Sequence, residues 1–389
     1  MKVSAALEQN IAVFGEAGSG KTVLLSSFYG PTQERDFERT SHYTVVADNL
    51  GQHARMYRNY LGMRDEARPP VADRFNGHSY AFDIKPKSNG RDKSLAKTGL
   101  NSLKLVWHDY PGEWFESDVS GAEESQRRLD TFRSLMSSDV ALLLVDAQKL
   151  VDNPGNEQQY LKSLFKNFRN GIRLLKDDIL TNGQPLVQFP RIWVVALSKA
   201  DLLPDMSAHD LRDLVTLKAS EELEQFRELI EEMIQGDTAL SVGEDFVTLS
   251  SARFTPEKIE LTDRIGVDLL LPLASMLPLE RHLRWAEAGA HPLPQKVAEN
   301  LLQGAKPWVN VLISLPIPKK GPIGIVLNVI RASISPEMVD SFFDVADSQL
   351  KKLREAALAK HEYLRAMLTG FQQDLERGEA EDTLLRSNR

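Results

Sequence analysis

Three short clusters in this chain carry residue types that bind and cleave phosphate esters. The first is Gly15-Glu16-Ala17-Gly18-Ser19-Gly20-Lys21-Thr22, where Gly15, Gly20, Lys21 and Thr22 hold the fixed positions of G-x-x-x-x-G-K-[ST]. Glycine lets backbone N–H groups turn inward around an anion, and the positive end of a following helix faces the same charge. Gly15, Gly18, Ser19 and Gly20 are thus expected to cradle phosphate, with Lys21 reaching its terminal groups and the Thr22 hydroxyl suited to magnesium. The second cluster, Asp109-Tyr110-Pro111-Gly112-Glu113, directly follows an apolar run. A carboxylate at Asp109 can hold magnesium through water, and the Gly112 N–H can meet a terminal phosphate. The third is Ser198-Lys199-Ala200-Asp201. Asp201 can accept the N1–H and the exocyclic amino hydrogens of guanine, while adenine offers the opposite pattern and leaves those pairs unmade. The aliphatic stem of Lys199 can lie along the base. A fainter fourth signal is Ser250-Ser251-Ala252, a small-residue loop in which Ser251 and Ala252 can approach a purine. Read alone, the second and third clusters are ordinary turn chemistry; their order, each behind a strand-like run, gives them weight.

The elements that must position these clusters alternate between strand and helix patterns, which predicts an α/β domain with a mostly parallel central sheet. A strand ending at Phe14 feeds a helix over Thr22–Tyr29, stopped by Gly30-Pro31. Residues 31–75 are polar and arginine-rich, longer than a simple connection, and read as an insertion or an elaborated switch region. Within them, Tyr43–Leu61 has apolar spacing compatible with one or two helices. Ser79–Ile84 and Leu100–His108 read as strands able to form a hairpin, with a polar loop over Pro86–Thr98. Glu123–Met136 and Asn156–Leu175 read as helices, and Val140–Val145 and Ile192–Leu197 as buried strands. Ala208–Gln235 carries an apolar stripe for one or two helices, Phe246–Leu249 is a further strand, and Gly266–Leu279 closes the domain. His108 is the histidine nearest the clusters, but it alternates in direction with Asp109 and is expected to be structural.

The predicted organisation is a domain over 1–280, a linker and apolar cap over 281–334, and a helical extension over 335–389. Trp308–Ile317 and Ile323–Ile330 could form a hairpin, cap the first domain, or dock on a partner or membrane. Met338–Leu375 is helically patterned and can pack within the chain or pair with a second copy as a homodimer. Residues 376–389 are expected to fray. With 389 residues, 42% of them hydrophobic, the chain can bury a substantial core, and a net charge of −8 with no cysteine argues against a general nucleic-acid binder and against disulfides. The start of the chain has no basic-then-apolar segment, and no apolar run reaches the ~18 residues of a membrane span. A cytoplasmic protein is expected, with peripheral contact at the inner membrane face through 308–330 as an alternative.

On Gly15–Thr22, Asp109–Gly112, Ser198–Asp201 and Ser250–Ala252, over about residues 9–280, the chain resembles a GTPase of the translation-factor-related class of phosphate-loop proteins, the group that includes the small Ras-like GTPases. It also resembles bacterial GTPase-like proteins with large insertions and a helical C-terminal region. The resemblance implies a three-layer P-loop NTPase domain binding GTP or GDP with Mg2+. Lys21 would bind the β- and γ-phosphates, Thr22 would ligate magnesium, and Asp109 would hold a magnesium-bound water. The Gly112 N–H would sense the γ-phosphate, Asp201 would read guanine, Lys199 would cover it, and Ala252 would lie beside it. The chain departs from the pattern in having Ser198 in place of asparagine and Glu113 where many members carry a water-orienting glutamine. Lys21, Gly112 and Glu113 are the expected catalytic group, with slow unaided hydrolysis. Thr40 and Thr44, and less so Thr32, are candidates for the magnesium-binding threonine of the first switch. The expected function is a magnesium-dependent GTP switch acting on a protein partner. Its rivals are an ATP-binding or base-indifferent NTPase, a non-catalytic nucleotide scaffold, and a peripheral membrane regulator.

Overall fold

The structure, a computed structural model, describes residues 5–71, 77–87, 100–115, 121–180, 183–187, 189–236, 239–255, 258–287 and, apart from 353, 356 and 359–362, residues 351–387. In chain order the elements are β1 (Ala5–Phe14), α1 (Lys21–Tyr29), α2 (Arg35–Thr40), β2 (Tyr43–Ala47), α3 (Leu50–Glu66), β3 (His78–Pro86), β4 (Leu100–Asp109), α4 (Ala122–Met136) and β5 (Val140–Asp146). They continue with α5 (Ala147–Asp152), α6 (Glu157–Ile179), β6 (Ile192–Ser198), α7 (Ala208–Met233), β7 (Ser241–Leu249), β8 (Arg253–Phe254), β9 (Ile259–Glu260), α8 (Leu270–Glu287), α9 (Tyr363–Ala380) and β10 (Leu384–Leu385). Among them an eight-stranded sheet runs in the order β10-β7-β6-β5-β1-β4-β3-β2. Strands β4, β1, β5, β6 and β7 are mutually parallel, and β3, β2 and β10 join antiparallel.

Helices on both faces explain why β5 and β6 read as unbroken apolar runs: every residue of each is buried. Alternation along β1 sends Ile11 and Val13 into the core beneath α1, α3, α8 and α9, and Ala12 and Phe14 into the core beneath α4, α6 and α7. In the second core Phe14 lies 5.1 Å from Trp193 between ring centroids and meets Phe168 edge-on at 6.4 Å. These aromatic contacts fix the end of β1, from which the phosphate loop departs. The three-layer α/β architecture is the one expected.

Two segments differ from the sequence-based expectation. Tyr43–Ala47 is not helical: it pairs with β3 from Tyr43↔Pro86 to Ala47↔Phe82, with Val45 buried. The run Thr44-Val45-Val46 suits a pleated surface, and the neighbouring strand decides its state. The helix of the insertion is α3, capped where the Asn49 side chain accepts the Gln52 N–H at 2.9 Å. The second difference is the tail, which does not fray. Leu384 and Leu385 pair with Val247 and Phe246 of β7, and Leu384 is fully buried, a burial that contributes roughly 2 kcal/mol. Arg386 then ties the tail to Glu280, Glu376 and Glu379. Helix α9 lies in the first core, where Phe371 meets Tyr43 of β2 edge-on at 5.4 Å. Both Trp308–Ile317 and Ile323–Ile330 lie outside the described residues, as does most of Pro86–Thr98. Among the described residues no helix is long and apolar enough to cross a membrane.

Candidate functional site

The loop Gly15–Thr22 leaves β1 and enters α1 through Gly18 and Gly20, whose φ angles of 76° and 90° are left-handed. A side chain would be strained at either position. Gly15 is required for a different reason, since a Cβ there would stand 2.4 Å from the Ser19 hydroxyl. Lys21 is buried, its Nζ donating to the carbonyls of Gly15 at 2.8 Å and Glu16 at 3.1 Å, and it lies over the Tyr110 ring at 5.2 Å. The Tyr110 hydroxyl accepts the Gly15 N–H at 2.9 Å and so ties the residue after Asp109 to the start of the loop. Ser19 Oγ is buried without a hydrogen-bond partner among the described residues. A buried hydroxyl in a glycine-rich, N–H-lined turn suits a phosphate oxygen.

Asp109 ends β4, buried, and the turn Gly112–Phe115 follows it. Gly112 packs directly on the phosphate loop: a Cβ would lie 2.3 Å from the Ala17 nitrogen and 2.6 Å from the Glu16 oxygen. Arg128 of α4 holds the turn, donating to the Trp114 carbonyl at 3.2 Å, stacking its guanidinium 5.6 Å from the indole centroid, and pairing with Glu124 at 2.5 Å. The Glu113 side chain lies outside the described residues. His108 points away from the loop, as alternation requires, and bonds Ser79 Oγ at 2.8 Å and Asn10 Oδ1 at 3.2 Å. Burial lowers its pKa to about 4.

A cavity of about 800 Å3 brings together residues 17–23, Asp109–Gly112 and the insertion residues Arg55, Arg58, Asn59, Gly62 and Arg68. Thr22 and Asp109 thus present a hydroxyl and a carboxylate to one space. Among the described residues no group of three His, Cys, Asp or Glu could hold a metal. One hydroxyl and one carboxylate are oxygen donors of the kind magnesium takes, with phosphate and water oxygens completing its shell. None of the three candidate threonines of the first switch reaches this space. Thr32 Oγ1 donates to the Tyr29 carbonyl at 2.6 Å, Thr40 Oγ1 to Asp36 at 2.7 Å, and Thr44 Oγ1 to Lys85 at 3.4 Å. Local backbone carbonyls capture the hydroxyls of Thr32 and Thr40, and a carbonyl of the paired strand β3 takes that of Thr44.

A second cavity, of about 350 Å3, shares Gly18, Ser19, Gly20 and Val23 with the first and is lined by Ser198, Lys199, Asp201, Ser250, Ser251 and Ala252. Asp201 Oδ1 accepts the Ser250 hydroxyl at 2.6 Å. Lys199 stands at a left-handed φ of 56°, unusual for a side-chain-bearing residue, and its Nζ pairs with Asp146 Oδ2 at 2.7 Å. Asp146 in turn caps α5 through the Gln148 N–H at 3.0 Å. Ser198 Oγ donates to the Val145 carbonyl at 3.2 Å. Two positioning roles, those of Ser250 and Asp146, are not legible in the sequence. Ser250 opens a loop whose later residues were chosen, and Asp146 ends an apolar strand run, the same signal that marked Asp109.

The sequence model of the Double-GTPase 2 family matches residues 9–273. No curated protein matches the chain. Among solved structures it is similar to the signal recognition particle receptor SRb-GTP/SRX complex from Chaetomium thermophilum, at 17% identity and a TM-score of 0.32, covering 64% of this chain and 93% of that one. It is also similar to Methanosarcina barkeri Roco2 RocCORdC bound to GDP, at 12% identity and a TM-score of 0.23, covering 97% and 91%.

Proposed function

The chain belongs to the Double-GTPase 2 family, and from that premise we propose that it is a magnesium-dependent GTP switch of the translation-factor-related kind. Residues 15–22 cradle the phosphates, Lys21 turns its ammonium from the loop carbonyls to the β- and γ-phosphates, and Asp201 reads guanine beneath Lys199 and beside Ser251 and Ala252. Thr22 and Asp109 would hold magnesium, which supplies charge neutralisation on the transferring group. Water attacks the γ-phosphorus in line, the bond to the bridging oxygen breaks, and GDP leaves with the electron pair while the water's proton goes to solvent or phosphate. Loss of the γ-phosphate frees the Gly112 N–H and with it the Gly112–Phe115 turn, which a protein partner reads.

The observation that carries this reading is the hydrogen bond from Ser250 to Asp201, which aims a carboxylate into a cavity continuous with the phosphate loop. The test is binding of GDP, ADP and xanthosine diphosphate with and without magnesium, to the natural protein and to Asp201→Asn. Asparagine offers an N–H to the xanthine 2-carbonyl in place of the guanine amino group. A shift of preference from guanine to xanthine supports the assignment; equal affinity for GDP and ADP in the natural protein refutes it. The bond from Ser198 to Val145 favours a second reading, a base-indifferent NTPase, because that hydroxyl serves the strand and not the phosphate loop. That reading expects ATP to compete as well as GTP.

A further inference from the structure

Helix α3 presents Arg55, Arg58, Asn59 and Gly62 to the phosphate cavity. Their spacing of i, i+3, i+4 and i+7 makes one continuous helical stripe. The complementary positions Met56, Tyr60 and Met63 are buried. From this we infer that Arg55 and Arg58 are built-in catalytic residues that place guanidinium charge on the γ-phosphate as it leaves. The inference rests on the reading that a guanine triphosphate occupies the loop.

Three observations support it. First, among the described residues the cavity has an excess of cations: Lys21, Arg55, Arg58 and Arg68 line it against the carboxylate of Asp109. A space lined by that charge is suited to a polyanion. Second, the arginines of this region are not equally committed. Arg64 pairs with Glu34 at 2.5 Å and Asp65 at 2.7 Å, and Arg68 pairs with Glu66 at 2.9 Å. Arg58 has no hydrogen bond or ion pair among the described residues, and Arg55 Nη1 reaches His78 Nε2, another residue of the cavity wall, at 3.0 Å. Third, α3 is fixed to the nucleotide-side helix α1. The Tyr29 hydroxyl bonds His53 Nδ1 at 2.8 Å, and Gly30 lies so close under Tyr60 that a Cβ would fall 2.1 Å from the ring. The stripe is therefore held by a packed helix and needs no partner to carry it in.

In the transition state the γ-phosphoryl spreads its charge over three equatorial oxygens, and a planar guanidinium can meet two of them at once. No hydroxyl of the first-switch candidates lines this space. Cationic help from α3 moves hydrolysis from a partner-dependent event to a property of the chain itself.

The test uses the full chain with magnesium. Single-turnover GTP hydrolysis and GDP binding are measured for the natural protein, Arg58→Ala, Arg58→Lys and the Arg55→Ala/Arg58→Ala pair, with thermal melting as the folding control for these exposed positions. The pair is expected to slow hydrolysis by at least about a hundredfold, with GDP affinity within about threefold of the natural protein. Arg58→Lys should recover only a minor part, because the ammonium lacks the fork. Binding of GDP with aluminium fluoride should be lost in the pair. Hydrolysis in the folded pair within about threefold of the natural rate overturns the inference, as does a natural protein that binds GTP without cleaving it. A natural protein that binds no guanine nucleotide instead overturns the reading beneath it, and the inference falls with it.

Discussion

Replacing Ser250 by alanine should loosen the discrimination between guanine and adenine nucleotides by an amount that follows from one hydrogen bond. Ser250 is 1% exposed, and its single hydroxyl proton has two acceptors in range, Asp201 Oδ1 at 2.6 Å and the Ala252 carbonyl at 3.0 Å. The shorter contact goes to a carboxylate, and bonds to charged groups contribute roughly 1.5–3 kcal/mol, so this is the one formed. Without it Asp201 regains rotamer freedom that guanine must then remove, at about 0.5–1.5 kcal/mol. That corresponds to a loss of about two- to thirteenfold in GDP affinity. ADP makes no use of the carboxylate, so the GDP-to-ADP ratio should fall by the same factor. Calorimetric titration of both nucleotides into Ser250→Ala and Ser250→Thr measures it, with threonine expected to keep the hydroxyl and the ratio. A ratio within about twofold of the natural protein in Ser250→Ala would refute the positioning argument.

Gly112→Ala should force its methyl group against the Glu16–Ala17 backbone, a strain of about 1–3 kcal/mol that lifts the turn. Binding of a non-hydrolysable triphosphate should then weaken while GDP binding holds. His108 sits at about 4, below its ordinary 6.5, so the unfolded chain takes up its proton first. Its contribution is complete above 6.5 and is lost as pH falls to about 4, by at most about 3 kcal/mol. Asp139 runs the other way, because burial raises it to about 6 and the folded state is the better proton acceptor below that pH. Urea titrations at pH 7 and 4.5 should therefore show His108→Gln losing less stability on acidification than the natural protein, and Asp139→Asn losing more. Arg386→Met would leave Glu280, Glu376 and Glu379 without their shared guanidinium. A drop of about 3–5 kcal/mol in unfolding free energy is expected from the same titration.

The parts legible in the sequence are those specified locally. Val140–Val145 and Ile192–Leu197 read as buried strands because a strand covered on both faces needs an unbroken apolar run. The four loops at strand ends were found because each motif lies within a few residues. What was not legible depends on distant partners. Tyr43–Ala47 is a strand only because β3 lies beside it. The acidic tail is ordered only because Arg386 finds three carboxylates and Leu384 finds β7. Arg55 and Arg58 gave no signal, since their approach to the phosphate loop follows from how α3 packs on α1. Thr40 and Thr44 were chosen for their hydroxyls, and nothing nearby in sequence revealed that backbone carbonyls already hold them.

The stacking of Arg128 on Trp114 has an optical consequence. That indole is 7% exposed, inside the turn that follows Asp109, with a cation at its face. If the turn lifts, the ring leaves the guanidinium and enters water, and its emission shifts to longer wavelength. Trp107 and Trp193, both fully enclosed, give a steady background, and with Trp285 and Trp308 replaced by phenylalanine the change is read from Trp114 alone. The protein carries its own fluorescent gauge of the turn's position, usable in a stopped-flow cell without any attached dye.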